Sequence, residues 1–99
     1  MIDKHSRVAG FIRECAGEYI ARESNRQTLL TPTRVILSSD FKKATIVVSV
    51  FPQAENQSAL LFLNRHKDAL KGYIKQHARL RTLPFITFAI EQEGVTGLE

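Results

Sequence analysis

The sequence predicts a single α+β domain in which helices cover one face of a three-stranded sheet. Three observations predict it. An apolar stripe at three-and-four spacing opens the chain; two runs rich in β-branched residues follow, joined by turn residues; and after a second helical stretch the period returns to two. With 99 residues there is room for one core and no second domain.

The opening stripe is Val8, Phe11, Ile12, Cys15, Ala16, Tyr19 and Ile20, which align on one side of a helix. Asp3 or Ser6 supplies the N-cap, Arg13, Glu14 and Glu18 fall on the wet side, and the helix ends near Arg22 to Ser24. The polar run Glu23 to Gln27 reads as a loop. Leu29 to Leu37 and Lys43 to Phe51 are Thr-, Val- and Ile-rich strands. In the second, Ala44, Ile46, Val48 and Val50 share the face that helices should cover, while Thr45, Val47 and Ser49 share a partly wet one. Ser38-Ser39-Asp40-Phe41-Lys42 has the chemistry of a hairpin turn. Pro32 has no N–H to give a ladder, so it belongs at the first strand's start or on a free edge.

Phe51-Pro52 closes that strand and Gln53 to Gln57 reads as a loop. From Ser58 the helical period resumes with Phe62, Leu63, His66, Ala69, Leu70, Tyr73 and Ile74, and it persists to about Leu80. Gly72 interrupts the pattern. An interior glycine costs a helix roughly 1 kcal/mol relative to alanine, so a kink or break is expected there. After Pro84, the alternation of Ile86, Phe88 and Ile90 marks a third strand over Phe85 to Ile90. Residues 1–92 make the domain, and 93–99 are expected to be a disordered tail.

Lys and Arg number 14 against 10 Asp and Glu, a net charge of +4, and the pI is near 9.6. A polyanionic partner and simple solubility are both compatible with that total, so placement decides. Between Arg65 and Arg81 stand Arg65, Lys67, Lys71, Lys75, Arg79 and Arg81 against one acid, Asp68. Lys71, Lys75 and Arg79 recur every four residues and line one face if the helix is continuous. A helix opening after Gly72 would add backbone N–H donors beside these cations, the combination a phosphate chain requires. The competing reading is a solvated polar face on a core helix. Lys42 and Lys43 add charge at the hairpin, Lys4 and Arg7 at the first helix, and Arg34 projects from the strand away from Val35.

Catalytic constellations are missing. His5, His66 and His77 lack metal-ligand spacing, and His66 reads as a semi-buried, hydrogen-bonded histidine of the apolar stripe. There is no phosphate loop, nucleophile elbow or paired-carboxylate motif, so neither an enzyme, a metal nor a cofactor is expected. Cys15, the only cysteine, excludes an intrachain disulfide and reads as a small buried hydrophobe. With no signal-type N-terminus and no run long enough to span a bilayer, the expected location is the cytoplasm.

Leu30-Thr31-Pro32-Thr33-Arg34-Val35-Ile36-Leu37-Ser38-Ser39-Asp40, followed by Lys43-Ala44-Thr45-Ile46-Val47-Val48-Ser49-Val50, resembles the bacterial ribosome-binding factor A family, with its Thr-x-Thr-x-Val-x-Leu-Ser-x-Asp and Ala-x-Val-x-Val-Ser-Val blocks. Arg7-Val8, Gly72-Tyr73-Ile74, Arg79-Leu80-Arg81, Leu83-Pro84, Phe85 and Phe88 extend the likeness over residues 7–90. The resemblance implies a type II KH-like fold, ordered helix-strand-strand-helix-kink-helix-strand, with the family's Ala-x-Gly kink replacing the Gly-x-x-Gly loop of ordinary KH domains. It further implies a factor that binds the small (30S) ribosomal subunit and assists 16S ribosomal RNA maturation. Here the segment reads Ala69-Leu70-Lys71-Gly72, with Leu70 where the family has alanine, and the helix after Gly72 is about one turn shorter. The expected RNA contacts are Lys71, Gly72, Lys75, Arg79 and Arg81, extended by Arg65, Lys42 and Lys43, on a chain expected to be monomeric. A stand-alone KH-like module for single-stranded nucleic acid and a protein-interaction domain are the alternatives.

Overall fold

A computed structural model of the chain describes residues 3–24, 28–77 and 83–91. The elements run α1 (Lys4–Glu23), β1 (Leu29–Leu37), β2 (Lys43–Phe51), a single 3₁₀ turn (Gln53–Glu55), α2 (Asn56–Arg65), α3 (Lys67–His77) and β3 (Phe85–Ile90). The expected tail at 93–99 lies outside the described residues, as do Arg79 and Arg81.

Asp3 is the N-cap of α1: its carboxylate accepts from the Ser6 backbone N–H at 2.8 Å. The helix buries Ile12, Cys15, Ala16, Tyr19 and Ile20, the stripe that its sequence spacing dictates. β1 and β2 form the antiparallel hairpin, and β3 adds to the other side of β2 in parallel, giving the order β1-β2-β3. The parallel step requires a long crossover, which α2 and α3 provide. Pro32 sits inside β1, opposite Val48; β1 is an edge strand, where a missing N–H is tolerated. A bulge follows at once, because Thr33 is inserted between the pairs Pro32–Val48 and Arg34–Val47.

Leu37, Ala44, Ile46, Val48 and Ile86 form the sheet's contribution to the core, facing Ile12, Ala16 and Ile20 of α1, Leu63 of α2, and Leu70 and Ile74 of α3. Among the described residues, no helix packs on the other face of the sheet. Val47 lies on that face and is nonetheless only 4 % exposed. The bulged Thr33 lies beside it, its hydroxyl 3.2 Å from the Val47 carbonyl and 2.9 Å from Glu91 Oε1.

One expectation is overturned. The helical break falls at His66, and Gly72 lies inside a continuous α3. The chain turns where the His66 N–H is shared between the Phe62 and Leu63 carbonyls, both at 3.1 Å, and α3 resumes with Leu70 N–H donating to the His66 carbonyl. The reason is tertiary. The His66 ring lies 4.3 Å from that of Phe62, and its Nδ1 shares a 2.6 Å hydrogen bond with the Tyr19 hydroxyl of α1. Leu70 and Ile74 are fully buried on either side of Gly72, and their burial outweighs the roughly 1 kcal/mol that glycine costs the helix. The segment Gln53 to Gln57 is likewise more ordered than a loop, since α2 starts at Asn56.

Candidate nucleic-acid interface

The cations of α3 form a graded stripe. Lys67, Lys71 and Lys75 are four residues apart, and each step rotates the stripe by about 40° around the helix. Lys67 and Lys71 are therefore half-buried at the margin of the core, their stems lying along it, and Lys75 is exposed. Arg65 is exposed in the last turn of α2, where the helix dipole favours a cation. Gly72 is exposed but interior to α3, so no helix begins after it and the backbone donors expected there are taken by the helix itself.

The hairpin turn sets the second group. Ser38 Oγ donates to Asp40 Oδ1 at 2.7 Å and accepts from the Lys42 and Lys43 N–H groups at 3.1 and 2.9 Å. Asp40 Oδ1 also accepts from Lys42 N at 3.1 Å. The Ser38 hydroxyl and then the Lys42 amide hold the Asp40 carboxyl below its ordinary value, so this acid is committed to the turn. Phe41 completes the turn with φ of 64°, a left-handed conformation unusual for a large side chain. It is held by the His5 ring at 5.5 Å and the Lys4 ammonium at 5.6 Å.

These groups meet at the start of β3. Lys43 is the register partner of Phe85, and the Phe85 N–H donates to the Lys42 carbonyl at 2.8 Å. The Lys67 ammonium lies 5.7 Å from the centre of the Phe85 ring. The sheet thus brings Lys42 and Lys43 to the head of the α3 stripe, while Arg65 ends the preceding helix one residue from the break. Lys67 and Phe85 were not among the contacts expected from sequence. The parity of β3 held the signal: with Ile86 facing the core, Phe85 must face outward.

Among the described residues no three His, Cys, Asp or Glu side chains converge on a metal site, and no described helix is long and apolar enough to cross a membrane. Cys15 is buried, and desolvation pushes its thiol upward, with Glu18 and Glu14 adding to the shift. His66 is the hydrogen-bonded, semi-buried histidine its position implied.

Residues 4–98 match the family model of ribosome-binding factor A. The chain belongs to the ribosome-binding factor A family. It is 33% identical to ribosome-binding factor A of Carboxydothermus hydrogenoformans over 88 residues, 86% of this chain and 70% of the relative. The fold is that of the crystal structure of ribosome-binding factor A from Thermus thermophilus, with a TM-score of 0.78 at 24% identity over 89% of this chain and 97% of the other. A Thermus thermophilus ribosome-binding factor A homology model, fitted into a cryo-electron microscopy map of a 30S complex, gives 0.77 at 24% identity over 90% and 97%. The α+β, KH-like architecture expected from the sequence is therefore the family's own.

Proposed function

We propose that this chain binds the small ribosomal subunit and assists maturation of its 16S RNA, acting in the cytoplasm as a monomer and without catalysis or a cofactor. The observation that carries the reading is the cationic stripe Lys67-Lys71-Lys75, continued at its head by Lys42 and Lys43. Arg65 borders it, and Arg79 and Arg81, outside the described residues, follow it in sequence. Family membership adds support, as does the 30S complex described for the Thermus thermophilus relative. Gly72, expected as an RNA contact, lies exposed inside α3 beside the stripe and opens no helix there.

In this reading the cations hold phosphates and the shape of the face selects the site, so affinity resides mainly in counterion release. Co-sedimentation with purified small and large subunits at low and moderate salt tests it. The expected result is binding to the small subunit alone, weakening as salt rises. Lys71→Glu with Lys75→Glu should abolish most of that binding while leaving the thermal melt intact. Normal binding by the folded double variant would refute this surface. A preference for short unpaired oligonucleotides over any subunit would favour a stand-alone nucleic-acid module instead.

A further inference from the structure

Large apolar side chains that remain exposed are concentrated on the helix-free face of the sheet: Leu29 and Ile36 on β1, Phe51 on β2 and Phe85 on β3. Phe85 differs from the other three in its surroundings. The residue is 58% exposed, and its register partner across about 4.8 Å of sheet is Lys43. Lys42 is tied to its backbone, and the Lys67 ammonium stands over one face of the ring, 5.7 Å from its centre. Asp40, the nearby acid of the hairpin, is occupied by Ser38 and the Lys42 amide. One step inward on the same face, Thr45 and Thr87 pair their hydroxyls at 3.1 Å.

We propose that Phe85 is a stacking platform for one unpaired nucleobase of RNA, with Lys43 and Lys67 taking the flanking phosphates and the Thr45–Thr87 pair meeting the ribose or base edge. The proposal rests on the RNA-binding reading above and names the kind of RNA: a single-stranded segment, since a base within a duplex has no free face to offer. The chemistry favours RNA over an apolar peptide. An aromatic ring with a cation over one face and a second beside it on the sheet suits a flat π-system that carries flanking anions, and it would set uncompensated charges around an aliphatic side chain. Aromatic side chains on an open sheet bind single-stranded RNA by this stacking in other folds. The hydroxyl pair supplies donor and acceptor capacity for a 2′-hydroxyl without adding charge.

The chain has no tryptophan, so Phe85→Trp places one fluorescent reporter at the site. Titration with a ten-nucleotide single-stranded RNA, and with a duplex of the same composition, should quench it with the single strand only. Phe85→Ala should weaken single-strand binding on the order of tenfold to a hundredfold, Phe85→Tyr should restore it, and Phe85→Leu, which keeps the apolar strand but lacks a π face, should not. The salt dependence should be unchanged in Phe85→Ala and shallower in Lys43→Glu, because only the lysine releases counterions. An unquenched Phe85→Trp, or Phe85→Leu binding like the wild type, overturns the stacking role even if the wild type co-sediments with the small subunit. Failure of the wild type to bind both subunit and oligonucleotide overturns the broader reading and this one together.

Discussion

Gly72→Ala separates two accounts of the crossover helices. If Gly72 were a hinge, alanine would strain it; the structure places it in the interior of the eleven-residue α3. A Cβ built there meets no heavy atom within 4 Å, so the methyl group has open space. The gain is then the intrinsic preference of alanine over glycine in a helix, about 1 kcal/mol, much of it from reduced freedom of the unfolded chain. For a domain near 100 residues that raises Tm by about 4–8 °C. The measurement is paired thermal and urea melts followed by circular dichroism, with an unchanged m-value showing that the same surface is exposed on unfolding. A lower Tm for Gly72→Ala would refute the continuous helix. Because the added methyl group carries no charge, subunit co-sedimentation should be within about twofold of wild type. A large loss of binding with raised stability would instead mean that an RNA backbone approaches Gly72 closely.

Tyr19→Phe removes the 2.6 Å bond to His66 and leaves a half-buried ring nitrogen without that partner; the expected loss is about 1 kcal/mol, read as a Tm lower by several degrees. His66→Ala should cost more, since contact with the Phe62 ring goes too, and equal melts for all three proteins would dissociate the break from this contact. Asp3, whose carboxyl is lowered chiefly by hydrogen bonding to Ser6, and Asp40, lowered by Ser38 and then Lys42, both sit below the ordinary 3.8. Their stabilisation is complete above that unfolded-state value and disappears as pH falls through the lower folded values. Asp3→Asn with Asp40→Asn should therefore show a shallower loss of Tm between neutral pH and about pH 2 than the wild type, and parallel curves would contradict the assignment. Cys15, buried with its thiol pushed upward, should resist iodoacetamide in native buffer and react within the unfolding transition in urea; rapid native alkylation would show that α1 opens locally.

Local periodicity made most of the fold legible. The α1 stripe, the hairpin, the edge position of Pro32 and the last strand all follow from spacing that one element imposes on itself. The α2–α3 break did not, because it depends on Tyr19 of α1 reaching His66 from a position 47 residues away. Glycine is a strong local signal, but a local signal yields when both neighbouring turns are pinned by Leu70 and Ile74. The same limit applied to the interface. The α3 lysines could be read from their four-residue repeat, whereas the meeting of Lys67 with Phe85 and the hairpin lysines depends on β3 crossing over to lie parallel to β2. Phe85 was visible in sequence only as a strand residue of the right parity to face outward.

The bulge in β1 has a consequence for how the molecule behaves among copies of itself. An outermost strand offers its free N–H and C=O groups to any other chain able to lie beside it, and pairing of this kind is a common route to aggregation. Here Pro32 removes one donor near the middle of that row, and the inserted Thr33 disrupts the two-residue repeat that an incoming strand would have to match. What is left for templating is two short stretches, Leu29–Thr31 and Arg34–Leu37, out of step with each other. On that side the sheet is therefore guarded against growth, and a protein with so much apolar surface on its open face can hold that face ready for a partner while resisting fibre-like addition along the β1 edge.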